Sequence, residues 1–435
     1  MMMRIALVLL ALATPLRAEI AIQSVTSPGG ITAWLVESHD IPFTALEIRF
    51  RGGTSLDAPG KRGAVNLMTA LIEEGAGDLD SQGFSAARDS LAAQFRFSST
   101  SDEVGVSARF LTENRPQALA LLRSALIEPR FDADAVERVR LQVLTNIRSG
   151  EKDGSAIAER LMAARNFGDH PYGTSGDGTV DSVTALTRDD LVAAHRGALA
   201  RDRIYVAAAG DITAAELGVL LDDLLGSLPA TGAPLPGRTE MVQKGGLLVA
   251  DLPGPQSVVQ FVQQGVAFDD PEYFAVVILN EILGGGRFGA RLMTEVREKR
   301  GLTYGIGTGL ASLDQAEWLV GQFESANTKV AEAIGVVRAE WARIAAEGVT
   351  ADELESAKTF LTGSYPLRFD GNAQIAGILV GMQMVGLAPD YPATRNARVA
   401  AVTLADVQRV AATFFTPDKL FFVVVGQPDG VVATE

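Results

Sequence analysis

Cysteine is absent from the 435-residue chain, and histidine nearly so, with three residues at His39, His170 and His195. The first absence excludes disulfides, thiolate metal sites and cysteine nucleophiles. The second leaves little for a histidine-based metal centre. Catalytic zinc takes about three His, Asp or Glu ligands, typically two of them on one helix face, and no two of these histidines share a helical turn. His39 precedes an aspartate in a turn, His170 lies in Asp169-His-Pro-Tyr172 and His195 falls in a helix; each reads as a surface or packing residue. Basic charge is also short: 38 Lys and Arg against 53 Asp and Glu give a net charge of −15. That argues against a nucleic-acid partner and offers nothing to an anionic membrane surface. A G-x-S-x-G nucleophile elbow, a phosphate loop and a basic–aromatic patch are missing as well.

What is present is globular material, 47% hydrophobic and 21% charged, long enough for two or more domains. Residues 1–18, MMMRIALVLLALATPLRA, have a basic start, an apolar run from Ile5 to Ala13 and a small residue, Ala18, at the expected cut. They read as a secretory signal peptide, too short to span a bilayer. No later apolar run reaches membrane-spanning length, so the expectation is a periplasmic or otherwise exported, soluble protein.

An internal repeat organises the rest. Thr187-Arg-Asp-Asp-Leu191 aligns with Thr403-Leu-Ala-Asp-Val407, and Asp202–Gly210 aligns without gaps with Asp418–Gly426, at a constant offset of 216. Each copy reads as a Thr-capped helix, a turn and a continuous apolar strand ending at glycine. The front halves match more loosely. Leu46–Gly52 and Val258–Gly265 both alternate like strands, and each leads through a turn into an apolar helix. Long helices are expected over 113–128, 132–148 and 328–347. The Pro/Gly-rich stretch Leu228–Gly237 reads as a linker. The expected organisation is a first domain over 19–227, a linker over 228–245 and a homologous second domain over 246–435. Each would be α+β, a mainly antiparallel sheet covered by helices.

Several segments carry candidate chemistry. Arg62–Gly75 reads as a helix, with Glu73 and Glu74 at its end, a pair that is usually solvated. Gly284-Gly-Gly-Arg-Phe-Gly289 matches G-x-G-x-x-G in letters, but a helix (Phe274–Leu283), not a strand, precedes it. This is not the dinucleotide context. It reads as a helix end and turn, or as a flexible loop whose bare backbone, at Gly284, Gly285 and Gly286, can approach a ligand. Gly289–Arg300 reads as a helix closed by Gly301, with a strand starting at Leu302. Arg297, in its last turn, and Tyr304, just past the break, can be brought to one surface. There a guanidinium and a phenol can both donate to a carbonyl or oxyanion. The plainer reading is a solvated cation and a core aromatic.

Together these pieces resemble the pitrilysin-like inverzincin family of zinc peptidases, relatives of mitochondrial processing peptidase and insulin-degrading enzyme. The resemblance covers nearly all of residues 20–430. It rests most specifically on Leu283–Gly286 and on Arg291-Leu-Met-Thr-Glu-Val-Arg-Glu-Lys-Arg-Gly-Leu-Thr-Tyr304, with support from Arg49–Ala64, His170–Gly173 and Thr187–Ile212. It implies that the family's H-x-x-E-H positions fall on Asn66, Thr69 and Ala70, and its downstream glutamate ligand on Asn146. All four have lost the metal and base chemistry. The family's substrate-binding arginine and tyrosine fall on Arg297 and Tyr304, which match.

The resemblance therefore implies a zinc-less subunit: a half-clamshell of two homologous domains that binds no metal itself. It would pair with a homologous H-x-x-E-H subunit that holds the zinc, and would contribute substrate binding and transition-state stabilisation to peptide hydrolysis. The alternative is a non-enzymatic scaffold or peptide-binding protein on the same fold.

Overall fold

The computed structural model describes residues 21–435; the expected signal peptide lies outside the described residues. Among them are thirteen strands: β1 (Gln23–Thr26), β2 (Thr32–Glu37), β3 (Phe43–Arg51), β4 (Gly75–Ala76), β5 (Leu79–Asp80), β6 (Gln94–Ser99), β7 (Glu103–Leu111), β8 (Ile204–Gly210), β9 (Gly246–Ala250), β10 (Gln256–Gln264), β11 (Ile306–Ser312), β12 (Glu317–Ala326) and β13 (Phe421–Val425). They form a six-stranded sheet in the order β1-β2-β8-β3-β7-β6, a five-stranded sheet in the order β11-β12-β10-β13-β9, and the small β4-β5 hairpin.

Five strands of the first sheet, β2, β8, β3, β7 and β6, recur in the second as β9, β13, β10, β12 and β11; β1 has no counterpart. In the first, β2 runs parallel to β8, and β3 pairs antiparallel with β8 and β7. In the second, β9 runs parallel to β13, and β10 pairs antiparallel with β13 and β12. Each half is thus a mainly antiparallel sheet with one parallel pair, covered by helices, which bears out the α+β reading. The repeat extends to the caps. The helices Arg188–Ala198 and Leu404–Phe414 lie 216 residues apart, and each is opened by a threonine in a reciprocal capping box, Thr187 with Asp190 and Thr403 with Asp406.

Alternation sorts each strand into two cores. In β10, Val259 and Phe261 face a cluster with Ile278, Leu279, Val337 and Trp341, while Val262 faces the opposite way. The buried indole of Trp341 donates to Gln263 Oε1 at 2.6 Å, so its one polar atom is satisfied. The strands β8 and β13 are buried on both faces, which accounts for their continuous apolar sequence.

The second face of each sheet is covered by a helix from the other half. Gly154–Phe167, from the first half, packs Ile157, Ala158 and Met162 against Val262, Phe421, Val423 and Val425 of the second sheet. Reciprocally, Asn372–Met384 lays Ala376 on Ala45 and Ala209 of the first sheet, and Leu379 and Val380 near Trp34 and Ala207. Gln383 there donates to the Val206 carbonyl at 2.7 Å. Residues 228–245 contain no helix or strand. Among the described residues no helix is long and apolar enough to cross a membrane.

Three local expectations are corrected. The helix expected over 62–75 spans Ala64–Leu71, and Gly75 instead begins β4; its φ of 120° suits a glycine at this reversal. In the Gly289–Arg300 segment, the turns Met293–Glu298 form a π-helix, a wider coil often seen at functional positions. The strand after it starts at Ile306, not Leu302.

Candidate functional site

The helix Ala64–Leu71 is held from both sides. Asp57 accepts from the Gly63 and Val65 amides, both at 2.8 Å, and so caps the helix from the preceding loop. Arg62 donates to the carbonyls of Pro171, Thr174 and Ser175 at 2.9–3.0 Å, binding the His170–Asp177 loop to the helix start. On this fixed helix, Asn66 bridges outward. Its amide nitrogen donates to Asp177 Oδ1 at 3.1 Å, and its oxygen accepts from Ser99 Oγ at 3.3 Å. Thr69 is buried, and its hydroxyl donates back to the Val65 carbonyl at 2.8 Å. Ala70 and Asn146 are exposed. Among the described residues, no cluster of three or more His, Cys, Asp or Glu side chains is placed to hold a metal ion.

The neighbouring carboxylates are structural. Glu73 pairs with Arg88 at 2.9 Å, and burial raises its pKa. Glu74 is bonded by Arg138 and Ser81, and the Arg138 bond lowers its pKa. The pair that read as solvated is therefore tied down. The histidines are also engaged. His39 bonds Asp211 at 2.6 Å, which raises its pKa. His170 faces the Gly237 carbonyl and accepts from the Tyr172 amide. His195 faces the Leu126 carbonyl at 2.9 Å, and burial lowers its pKa.

In the second half, the helix Tyr273–Leu283 ends at the glycine loop. A β-carbon on Gly284 would lie 2.5 Å from Thr308 Oγ1, and one on Gly285 would lie 2.3 Å from Glu281 Oε2. Only Gly286 has open space. The first two glycines thus answer to packing against β11 and the helix, and the Thr308 amide donates to the Gly284 carbonyl at 2.7 Å. Beneath the loop, buried Glu281 lies 2.9 Å from Arg287.

Arg291 anchors the π-helix. Its guanidinium holds Glu353 through Nε at 2.7 Å and Nη2 at 2.8 Å, and it also donates to the Gly348 carbonyl. Burial opposes charge on Glu353, but the Arg291 and Thr350 bonds win and lower its pKa to about 2. Beyond the anchor, Arg297 lies over the ring of exposed Phe288 at 5.1 Å. Tyr304 is 89% exposed, not a core aromatic. It borders a hollow of about 330 Å³ with Gln256, Thr303 and Gln322.

A larger cavity of about 670 Å³ opens between the halves. The first half contributes Met162, Phe167, Tyr172 and Asp177; the second contributes Gly284, Gly286, Gly307 and Trp318. It joins two sequence-predicted regions, because Asp177 is the partner of Asn66. Gln322 lines both this cavity and the Tyr304 hollow; Arg297 lines neither. Gln260, in the alternating Val258–Gly265 segment, also lines the cavity, but its convergence with Asp177 and Tyr172 depends on the exchanged helix Gly154–Phe167 and left no local signal.

Comparison with known proteins agrees with this geometry. Residues 33–179 match the insulinase family (peptidase family M16), and residues 185–361 match the peptidase M16 inactive domain. The chain is 24% identical over 390 residues to a protein of Helicobacter pylori described as the non-peptidase homolog YmxG, covering 89% of this chain and 90% of that one. It is 22% identical to a probable mitochondrial-processing peptidase subunit beta of Schizosaccharomyces pombe, over 94% of this chain and 92% of that one. A crystal structure of a peptidase M16 inactive domain from Pseudomonas fluorescens superposes with a TM-score of 0.88 at 28% identity, covering 95% of this chain and 99% of that chain. The chain belongs to the M16 peptidase family.

Proposed function

We propose that this chain is the zinc-less subunit of an exported heterodimeric zinc peptidase, its partner a homologous chain with an intact H-x-x-E-H motif. The observation that carries the reading is the contrast at the two ends of the site. Asn66 and Thr69 are committed to bonds within the protein, and Ala70 and Asn146 offer nothing to a metal. Tyr304 stands in solvent, and Arg297 stacks on exposed Phe288. The partner supplies zinc, its water and the base. Arg297 and Tyr304 donate to the scissile carbonyl as it gains negative charge. The cavity between the halves, bordered by Gly284 and Gly286, receives the peptide, and Gly285 shapes the loop from beneath.

The test is purification of the tagged chain from its native host, with metal analysis of the eluate. The proposal expects a co-eluting chain with H-x-x-E-H and about one zinc per pair. A metal-free homo-oligomer with no such companion would favour the non-enzymatic, peptide-binding reading instead.

A further inference from the structure

The β11–β12 turn of the second half reaches across to the first. The Asp314 amide donates to Asp102 Oδ2 at 3.1 Å, and the Gln315 amide donates to the Tyr172 hydroxyl at 3.0 Å. Tyr172 in turn donates its hydroxyl hydrogen to Asp102 Oδ1. Arg51, at the end of β3, sets Nε 3.0 Å from Asp314 Oδ2. It also donates through Nη2 to the Met384 carbonyl and lies over the Tyr205 ring at 5.2 Å. A linker residue completes the cluster, the Thr239 amide donating to the Gln315 carbonyl at 2.9 Å. Asp314, Asp102 and Arg51 thus come from different strands and turns of both halves. Ser101, Tyr172 and Leu313, from the same cluster or beside it, line the 670 Å³ cavity. The docked turn is therefore part of the cavity wall.

We propose that this turn is a proton-operated latch on the cavity: docking of Asp314 between Arg51 and Asp102 takes up a proton, and undocking releases it. The charged groups facing Asp314 explain the direction. Arg51 opposes protonation, but its Nε is misaligned for a hydrogen bond, so the one cation compensates poorly. Asp102 and Glu103, the second held by Arg49 at 3.0 Å, add negative charge nearby. Glu317, on the same hairpin, is occupied by Arg238.

Burial first, with Asp102 and Glu103 adding to it against Arg51, pushes the Asp314 carboxyl up to about 6, from 3.8 in the open chain. The docked form holds the proton more tightly. Docking therefore strengthens as pH falls through 6, and the gain is complete below 3.8. At neutral pH the docked turn carries a half-buried, poorly paired carboxylate. Acid tightens this latch, the opposite of what breaking an ion pair suggests. A second link between the halves has the reverse sign: Glu435 is held below its usual range by its bond to Arg165, so it weakens only in stronger acid. Measurements above pH 5 separate the two.

The chain has no cysteine, so two introduced cysteines can be labelled without background. Spin labels at Ser175→Cys, an exposed residue of the first half that lines the cavity, and at Ser312→Cys, exposed beside the docked turn, report in the whole protein the distance between that turn and the first half's cavity wall. The ratio of the short-distance to the long-distance population is expected to rise about tenfold between pH 7.5 and pH 5. Asp314→Asn, which keeps the shape without the charge, should abolish the pH dependence and hold the short distance at pH 7.5. The proposal fails if acid lengthens the distance, if the wild-type distribution is flat across this range, or if Asp314→Asn keeps the full response. The wild-type titration decides by itself should the variant fold poorly.

Discussion

The two halves share one sheet plan and differ in what their corresponding ends present. In the first half, the helix Ala64–Leu71 is capped by Asp57, tied to the His170–Asp177 loop by Arg62, and closed by the Asn66–Asp177 and Ser99–Asn66 bonds. In the second half, the π-helix Met293–Glu298 is pinned at its start by Arg291; past the pin, half-buried Arg297 lies over exposed Phe288 and Tyr304 stands in solvent. A buried anchor with exposed groups beyond it is a way to present chemistry. A helix whose polar groups are all answered internally is a way to retire it. The first half reads as retired and the second as still presenting.

The largest expected effect sharpens what the halves share. Met162, on the helix that the first half lends to the second, is 1% exposed. Met162→Ala should cost about 2–5 kcal/mol in denaturant unfolding, and should loosen the second sheet although the residue belongs to the first half. Loss confined to the first half would break the exchanged-helix description.

Next comes the contrast itself. Arg297→Ala should lower peptide hydrolysis by the reconstituted pair on the order of 10²-fold. Half-buried over the Phe288 ring, its loss should cost no more than about 1 kcal/mol of stability. Asn66→Ala should leave the rate unchanged. Equal losses from both would end the division between the halves.

An acid titration tests the anchor. The folded pKa of Glu353, about 2, lies below its ordinary 4.5. The stability it supplies is present above 4.5 and is lost as pH falls through 4.5 towards 2. Arg291→Met should remove its share of that acid-sensitive increment and leave the Thr350 share, read as a flatter dependence of unfolding free energy on pH in this window. The smallest effect probes the repeat: Thr187→Ala and Thr403→Ala should each cost about 1 kcal/mol, alike in the two halves.

Much of this was legible in the chain. Cap chemistry is local, so Thr187-Arg-Asp-Asp and Thr403-Leu-Ala-Asp announced matching helices, and β8 and β13 announced themselves by apolar runs. The exchange of Gly154–Phe167 and Asn372–Met384 was not legible. An apolar helix face says that it is buried but not against which sheet. For the same reason the Asp102–Tyr172–Asp314 cluster was invisible, since its members are scattered and meet only through tertiary packing. The candidate site was legible in its missing ligands and in Arg297 and Tyr304. The sequence did not show that Asn66 and Thr69 are bonded within the protein, that Tyr304 is solvent-exposed, or that Gly284 and Gly285 are required by close packing.

The most direct measurement of the central claim is cleavage of a generic peptide by this chain alone, by a homologous H-x-x-E-H chain from the same host alone, and by the mixture, each with and without a zinc chelator. The account predicts little cleavage by either chain alone, strong cleavage by the mixture, and its loss on chelation. Strong, chelator-sensitive cleavage by this chain alone would contradict it.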